Sequence, residues 1–246
     1  MFMRIFLSLV LVLGLASMAI AQDFATTINS ASQKIREGNF VEASVELDEA
    51  LKLAMTGKEK AYVQRGFAEI QYFQGYWEIA KVEYAKVLGI EGAHAHTRGE
   101  AKYQIAQADV HLGNYAVARA GFVEVQGMKE IQKQYSSGSY LMEGECYLGE
   151  GNKVEAQKIF SNLLLGDILL IPNHIVVTCQ NLDKADLELY IRCLIHSVDK
   201  LNVERDKNIS QLEAVISLIA AEIGVDEVDM MSLRARYKEK FGKEYK

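Results

Sequence analysis

Histidines are the residues best suited to chemistry in this chain. His94 and His96 form a His-x-His pair flanked by Glu91 and Glu100, with His111 further on. On extended backbone such a set can bind zinc or copper, and a metal-dependent enzyme is the catalytic reading it offers. The pair falls between Gly92 and Gly99, however, and that stretch reads as a solvated loop between larger elements. His174 and His196 stand singly on apolar stretches and read as packed side chains. No Gly-x-Ser-x-Gly elbow, phosphate-binding glycine loop or His-Glu-x-x-His run occurs. Among the cysteines, Cys146 reads as a small buried apolar residue. Cys179 and Cys193 enclose 13 residues. They can remain thiols or close a bridge, worth about 3 kcal/mol in the chain-entropy model. Catalysis is not expected, and neither a metal nor a cofactor is implied.

What must position these residues follows from composition. Half of the 246 residues are apolar and 24% are charged, as in an ordinary globular protein. A single proline occurs, where about 5% would be average. That scarcity suits long helices, which an internal proline would break. The net charge of −6 leaves no basic surplus to neutralise phosphates, so nucleic acid is not an expected partner. The end from Arg234 to Lys246 holds six bases and two acids. It reads as a solvated helix end, with an acidic partner or anionic lipid headgroups as the alternative.

Residues 1–21 set the expected compartment. Arg4 precedes an apolar run from Ile5 to Leu15, and the segment closes on Ala19-Ile20-Ala21. That is the shape of a secretory signal peptide cleaved after Ala21; an uncleaved anchor is the alternative. After cleavage no transmembrane segment is expected, and the mature chain is periplasmic or secreted.

A repeat organises the rest. The same turn recurs as Gly38-Asn39-Phe40, Gly75-Tyr76-Trp77, Gly113-Asn114-Tyr115 and Gly151-Asn152-Lys153, with glycines 37, 38 and 38 residues apart. Ala43, Ala80, Ala118 and Ala156 follow the turns, and Ala31, Ala68, Ala106 and Gly144 stand twelve residues before those alanines. Small residues at a fixed interval let two helices approach closely where they cross. One turn past the alanines come Leu47, Tyr84, Phe122 and Phe160, large enough to wedge between neighbouring pairs.

These features resemble the tetratricopeptide repeat (TPR) family over residues 24–164. The resemblance implies a right-handed α-solenoid of antiparallel helix pairs, here about four repeats. The period of 37–38 exceeds the family's usual 34, and no repeat ends in the family's proline. Residues 165–182 read as an irregular apolar connector containing Pro172. Within it a short helix, a turn with a second helix, or an extended segment are all compatible with the run. Residues 183–246 read as a C-terminal helical cap, opening at Asp183 or Asp186, with a capping box at Ser210-x-x-Glu213.

In the family the first helices of successive pairs line a groove that holds peptides. The resemblance puts Tyr62, Arg65, Glu69, Tyr72 and Phe73 there from the second repeat. The third repeat adds Tyr103, Gln107 and His111, and the fourth Leu141 and Glu145. The partner-binding candidates are Tyr62, Arg65, Tyr72, Phe73, Tyr103 and His111, with Arg65 expected to meet a carboxylate or backbone carbonyls. Glu69, Gln107 and Glu145 stand where the family's carboxylate-clamping members carry lysines and asparagines, which disfavours that role. The expected function is a non-catalytic, exported adaptor for a protein or peptide in a cell-envelope assembly. A ligand carrier, with the apolar 165–180 segment as plug or wall, is the alternative.

Overall fold

A computed structural model describes residues 23–166, 170–204, 207–223 and 230–242. Residues 1–21, read above as a signal peptide, and the last four residues of the basic end lie outside them. No strand occurs among the described residues, in line with the all-α expectation. The helices are α1 (23–37), α2 (Phe40–Leu53), α3 (Gly57–Phe73), α4 (Trp77–Gly89), α5 (Ala95–His111) and α6 (Tyr115–Gln126). They continue as α7 (Lys133–Gly149), α8 (Lys153–Leu165), α9 (Pro172–Gln180), α10 (Leu187–Asn202), α11 (Ile209–Ile223) and α12 (Met230–Phe241).

The repeated turn is a Schellman motif. Gly38, Gly75, Gly113 and Gly151 take φ between 77° and 81°, where a Cβ would be strained. In the first copy the Asn39 N–H donates to the Lys34 carbonyl at 2.9 Å and the Gly38 N–H to Ile35 at 3.1 Å. The same pair of bonds recurs at residues 75–76, 113–114 and 151–152. Each copy satisfies carbonyls left over at the helix end and turns the chain into the next helix within two residues. The start of the third repeat departs from expectation. Residues 95–99 are helical rather than loop, because His94 caps α5 with its own ring nitrogen.

The chain divides into two compact units, one ending at Asn114 and one starting at Tyr115. In the first unit, Ala31 and Ile35 of α1, Ala43 and Leu47 of α2, and Val63 and Ile70 of α3 form one core. A second joins Ala61 and Ala68 of α3, Ala80, Tyr84 and Val87 of α4, and Ala101 of α5. Leu47 lies so close to Gly66 that a Cβ there would sit 2.7 Å from it, which is why the first helix of the next pair carries glycine.

In the second unit Phe160 is fully buried, and a Cβ on Gly144 would meet its ring at 2.2 Å. The fourth helix pair and the C-terminal helices share one core, in which Phe160 and Leu164 join Ile191, Leu194, Ile195 and Ile219. Within the segment read as an irregular connector, Pro172–Gln180 is helical. Pro172 occupies the first position of α9, where its missing N–H costs nothing, so the proline starts a helix instead of interrupting one. Asp186 caps α10, accepting from the Leu189 N–H at 3.0 Å. The Ser210 capping box does not form. The helix begins one residue earlier, and the Ser210 hydroxyl turns to Gln211 inside the first turn.

Candidate functional site

The six sequence candidates all lie on two neighbouring first helices, α3 and α5, within the first unit. Their side chains form two cross-links between those helices. Arg65 Nη1 donates to Glu100 Oε2 at 2.8 Å, and its Nε stands 3.4 Å from Glu69 Oε1. The same guanidinium lies over the Tyr62 ring, 5.5 Å from its centre. Further along, the Tyr72 hydroxyl donates to Gln107 Oε1 at 2.9 Å, and Gln107 Nε2 donates to the Tyr103 oxygen at 3.1 Å. His111 Nε2 is 3.1 Å from the Tyr72 oxygen. Because the Tyr72 proton goes to Gln107, the His111 ring supplies the proton of that contact.

This geometry gives Arg65 partners within the chain. Its planar fork already spans Glu69 and Glu100, and Glu100 is buried, so Arg65 braces α3 against α5. Tyr103 is 9% exposed and belongs to the support as well. The candidates that face solvent are Phe73, 59% exposed, and His111; Tyr62 is half-buried. Two residues of the face escaped the sequence reading. Trp77, the first residue of α4, stacks on His111 at 4.0 Å and 10° and meets the Tyr72 ring edge-on at 4.8 Å. Glu100, noted only as a neighbour of the histidine pair, is the buried acceptor for Arg65. A signal for these contacts exists in the spacing: Arg65–Glu100 and Tyr72–Gln107 are both 35 residues apart, one repeat less about one turn.

Electrostatically the face sets one guanidinium, Arg65, between two carboxylates, Glu69 and Glu100. Burial raises the Glu69 carboxyl above its ordinary range, with Arg65 opposing and Glu100 adding to the rise. Burial also pushes the Tyr72 phenol up to about 12, so it stays a neutral hydrogen-bonding group. A third polar cross-link, between α4 and α5, lies behind the face. Lys81 of α4 donates to the buried Asp109 of α5 at 2.5 Å, and Asn114 Nδ2 reaches the same carboxylate at 3.2 Å.

The remaining candidates take structural places. His94 Nδ1 accepts from the His96 N–H at 3.2 Å, and His96 lies 4.0 Å from Glu100. Among the described residues no three His, Cys, Asp or Glu side chains cluster as a metal site. His174 Nδ1 and Ser137 Oγ are 2.6 Å apart, a pin between α9 and α7, and burial lowers the affinity of that ring for a proton. Leu141 is core, and Glu145 accepts from Asn181 at 3.4 Å while burial raises its carboxyl. The bridge that loop length allowed between Cys179 and Cys193 is not formed. Both are buried free thiols, Cys179 donating to the Ser197 hydroxyl at 3.3 Å. Burial raises Cys179 to about 12 and Cys193 to about 11, and Cys146 to about 12, which leaves them as thiols. In the basic end, Arg234 pairs with Asp199 at 3.3 Å and Lys240 donates to the Glu222 carbonyl at 2.7 Å.

Solved structures of similar fold are found at low identity. pilF of Pseudomonas aeruginosa superposes with a TM-score of 0.54 at 15% identity, over 91% of this chain and 99% of that one. A kinesin-light-chain-like protein of Podosopora anserina, described by its nearly identical TPR-like repeats, gives 0.50 at 15% identity, over 80% of this chain and 95% of that one. Neither a family model nor a curated protein sequence matches the chain. The similarity shows the fold: TPR-like helix pairs, as the turn and small-residue pattern implied. No helix among the described residues is long and apolar enough to cross a membrane.

Proposed function

We propose that this chain is a non-catalytic adaptor, exported by its 1–21 leader, that holds a protein or peptide segment along the α3–α5 face. One observation carries the proposal. The polar cross-links Arg65–Glu100 and Tyr72–Gln107 hold two helices side by side, and the aromatic cluster they support, Tyr72, Trp77 and His111, ends at the exposed Phe73. Aromatic groups fixed before binding offer large contact area with little ordering cost. Since Arg65 is committed to two carboxylates, affinity on this face comes from Phe73, Tyr62 and the His111–Trp77 stack rather than from capture of an acidic end. The apolar and charge pattern of residues 1–21 supports export.

The test is affinity capture from envelope extracts with wild type, Tyr62→Ala and Phe73→Ala, all melting alike. Loss of an anchor of this kind weakens binding by about 2 kcal/mol, roughly thirtyfold. Glu42→Ala, on the exposed face of α2, serves as the neutral control. Undiminished capture by both aromatic variants removes the α3–α5 face as the binding surface. Mass spectrometry of the mature chain tests export: a start at Gln22 supports it, and a retained Met1 opposes it.

A further inference from the structure

The second unit contains a cavity of about 410 Å³, a size typical of small-molecule sites. Its apolar floor is made of Leu170, Ile175 and Leu201, all buried. Its polar wall carries Lys133, His196 and Lys200, with Glu204 as the acidic side chain. The formal charge of that lining is therefore +1 with His196 neutral and +2 with it protonated.

Backbone dipoles add to this sign. Three helices start at the cavity and each gives it a lining residue: α7 through Lys133, α9 through Pro172, and α11 through Asn208 just before it. Helix starts carry partial positive charge on unsatisfied N–H groups. Two helix ends of opposite sign also reach the cavity, α8 at Gly166 and α10 at Leu201. The first of these is covered, since Lys200 Nζ donates to the Leu163 carbonyl at 3.3 Å and the Gly166 carbonyl at 2.7 Å. A half-open space with an apolar floor and a positive wall suits a molecule with an alkyl body and one anionic head.

We propose that this cavity binds a small amphiphilic carboxylate, its alkyl chain on Leu170, Ile175 and Leu201 and its head toward Lys133 and His196. Gly166, Leu170 and Pro172 then form one wall of the site. This proposal is independent of the α3–α5 face, because no residue is shared between the two.

The experiment is calorimetric titration of the full chain with octanoate, octanol and inorganic phosphate, in wild type and Lys133→Glu. Lys133 is exposed, and a carboxylate at a helix start is well tolerated, so the variant folds. The expected result is saturable one-to-one binding of octanoate, with octanol and phosphate each at least about tenfold weaker. Lys133→Glu weakens octanoate by about tenfold and leaves partner capture unchanged. Nuclear Overhauser contacts from octanoate to the Leu170, Ile175 and Leu201 methyls fix the location. Absence of saturation, equal binding of octanol or phosphate, unchanged affinity in the variant, or contacts to other methyl groups overturns the proposal.

Discussion

Between α3 and α5 the helices meet through Arg65–Glu100 and Tyr72–Gln107, with Lys81–Asp109 behind them. Between α8 and α10 they meet chiefly through Phe160, Leu164, Ile191 and Leu194, with the buried Ser161 and Ser197 and the Lys200 bonds to the Leu163 and Gly166 carbonyls as the polar minority. Both arrangements hold neighbouring helices, but by different physics. Directional bonds fix register while leaving the tops of side chains in water, as a recognition surface requires. Apolar packing excludes water and stabilises strongly, but without directional bonds it specifies contacts only through shape. The first region is therefore suited to reading a partner, and the second to carrying stability and enclosing a cavity.

The largest effect is expected in the apolar core. Phe160→Ala removes a fully buried ring seated on Gly144 and costs about 3–5 kcal/mol in chemical denaturation. A loss below about 1 kcal/mol would mean that the core around α8 is loosely packed.

Close crossings come next. Ala80→Leu, at a position with no exposed surface, forces α4 from α3 and costs about 1–3 kcal/mol by overpacking. Ala116→Leu, two residues from the buried Ala118 but itself exposed, stays within about 0.5 kcal/mol. Equal effects at the two sites would break the repeat alignment on which the α3–α5 face rests.

Smaller again is the polar contribution. Lys81→Met leaves Asp109 buried with only Asn114 as donor among the bonds described above, and costs about 1–2 kcal/mol, since Lys81 is itself a quarter exposed. Lys86→Met, which breaks an exposed pair with Glu83, changes stability by less than about 0.5 kcal/mol. Matching losses would show that burial of Asp109 does not distinguish the two pairs.

The smallest effect depends on pH. Burial lowers the His174 pKa below its ordinary 6.5, so near that pH the unfolded chain binds more protons than the folded one. This contribution to stability is present above 6.5 and is lost as pH falls through the lowered folded value. Denaturation curves at several pH values should show a slope that His174→Gln removes. An unchanged slope would assign the acid sensitivity to other groups.

Much of the scaffold was legible because it rests on local rules. Glycine at positive φ, a small residue twelve positions before each buried alanine, and a large apolar residue one turn beyond it are properties of single helices and their turns. The run around Pro172 left helix and extended segment both open, because a proline starts a helix as readily as it ends one and its neighbours carry no periodic pattern. The candidate face was legible as a set of positions but not as a network. The six residues do share two neighbouring helices. Which of them spend their polar groups on one another depends on distances across a repeat, as in the Arg65 brace between α3 and α5. The Cys179–Cys193 spacing allowed a bridge, but neither loop length nor composition specifies where two thiols point. Cys179 instead bonds Ser197 across the α9–α10 contact.

The central claim is that recognition occurs on the α3–α5 face, and photocrosslinking tests it most directly. A benzoylphenylalanine introduced at Phe73, which is 59% exposed on α3, is compared with one at Val117, which is 61% exposed on α6. The account predicts a discrete protein or peptide adduct from position 73 under conditions where position 117 gives none. Adducts from position 117 alone, or the same adduct from both, would contradict it.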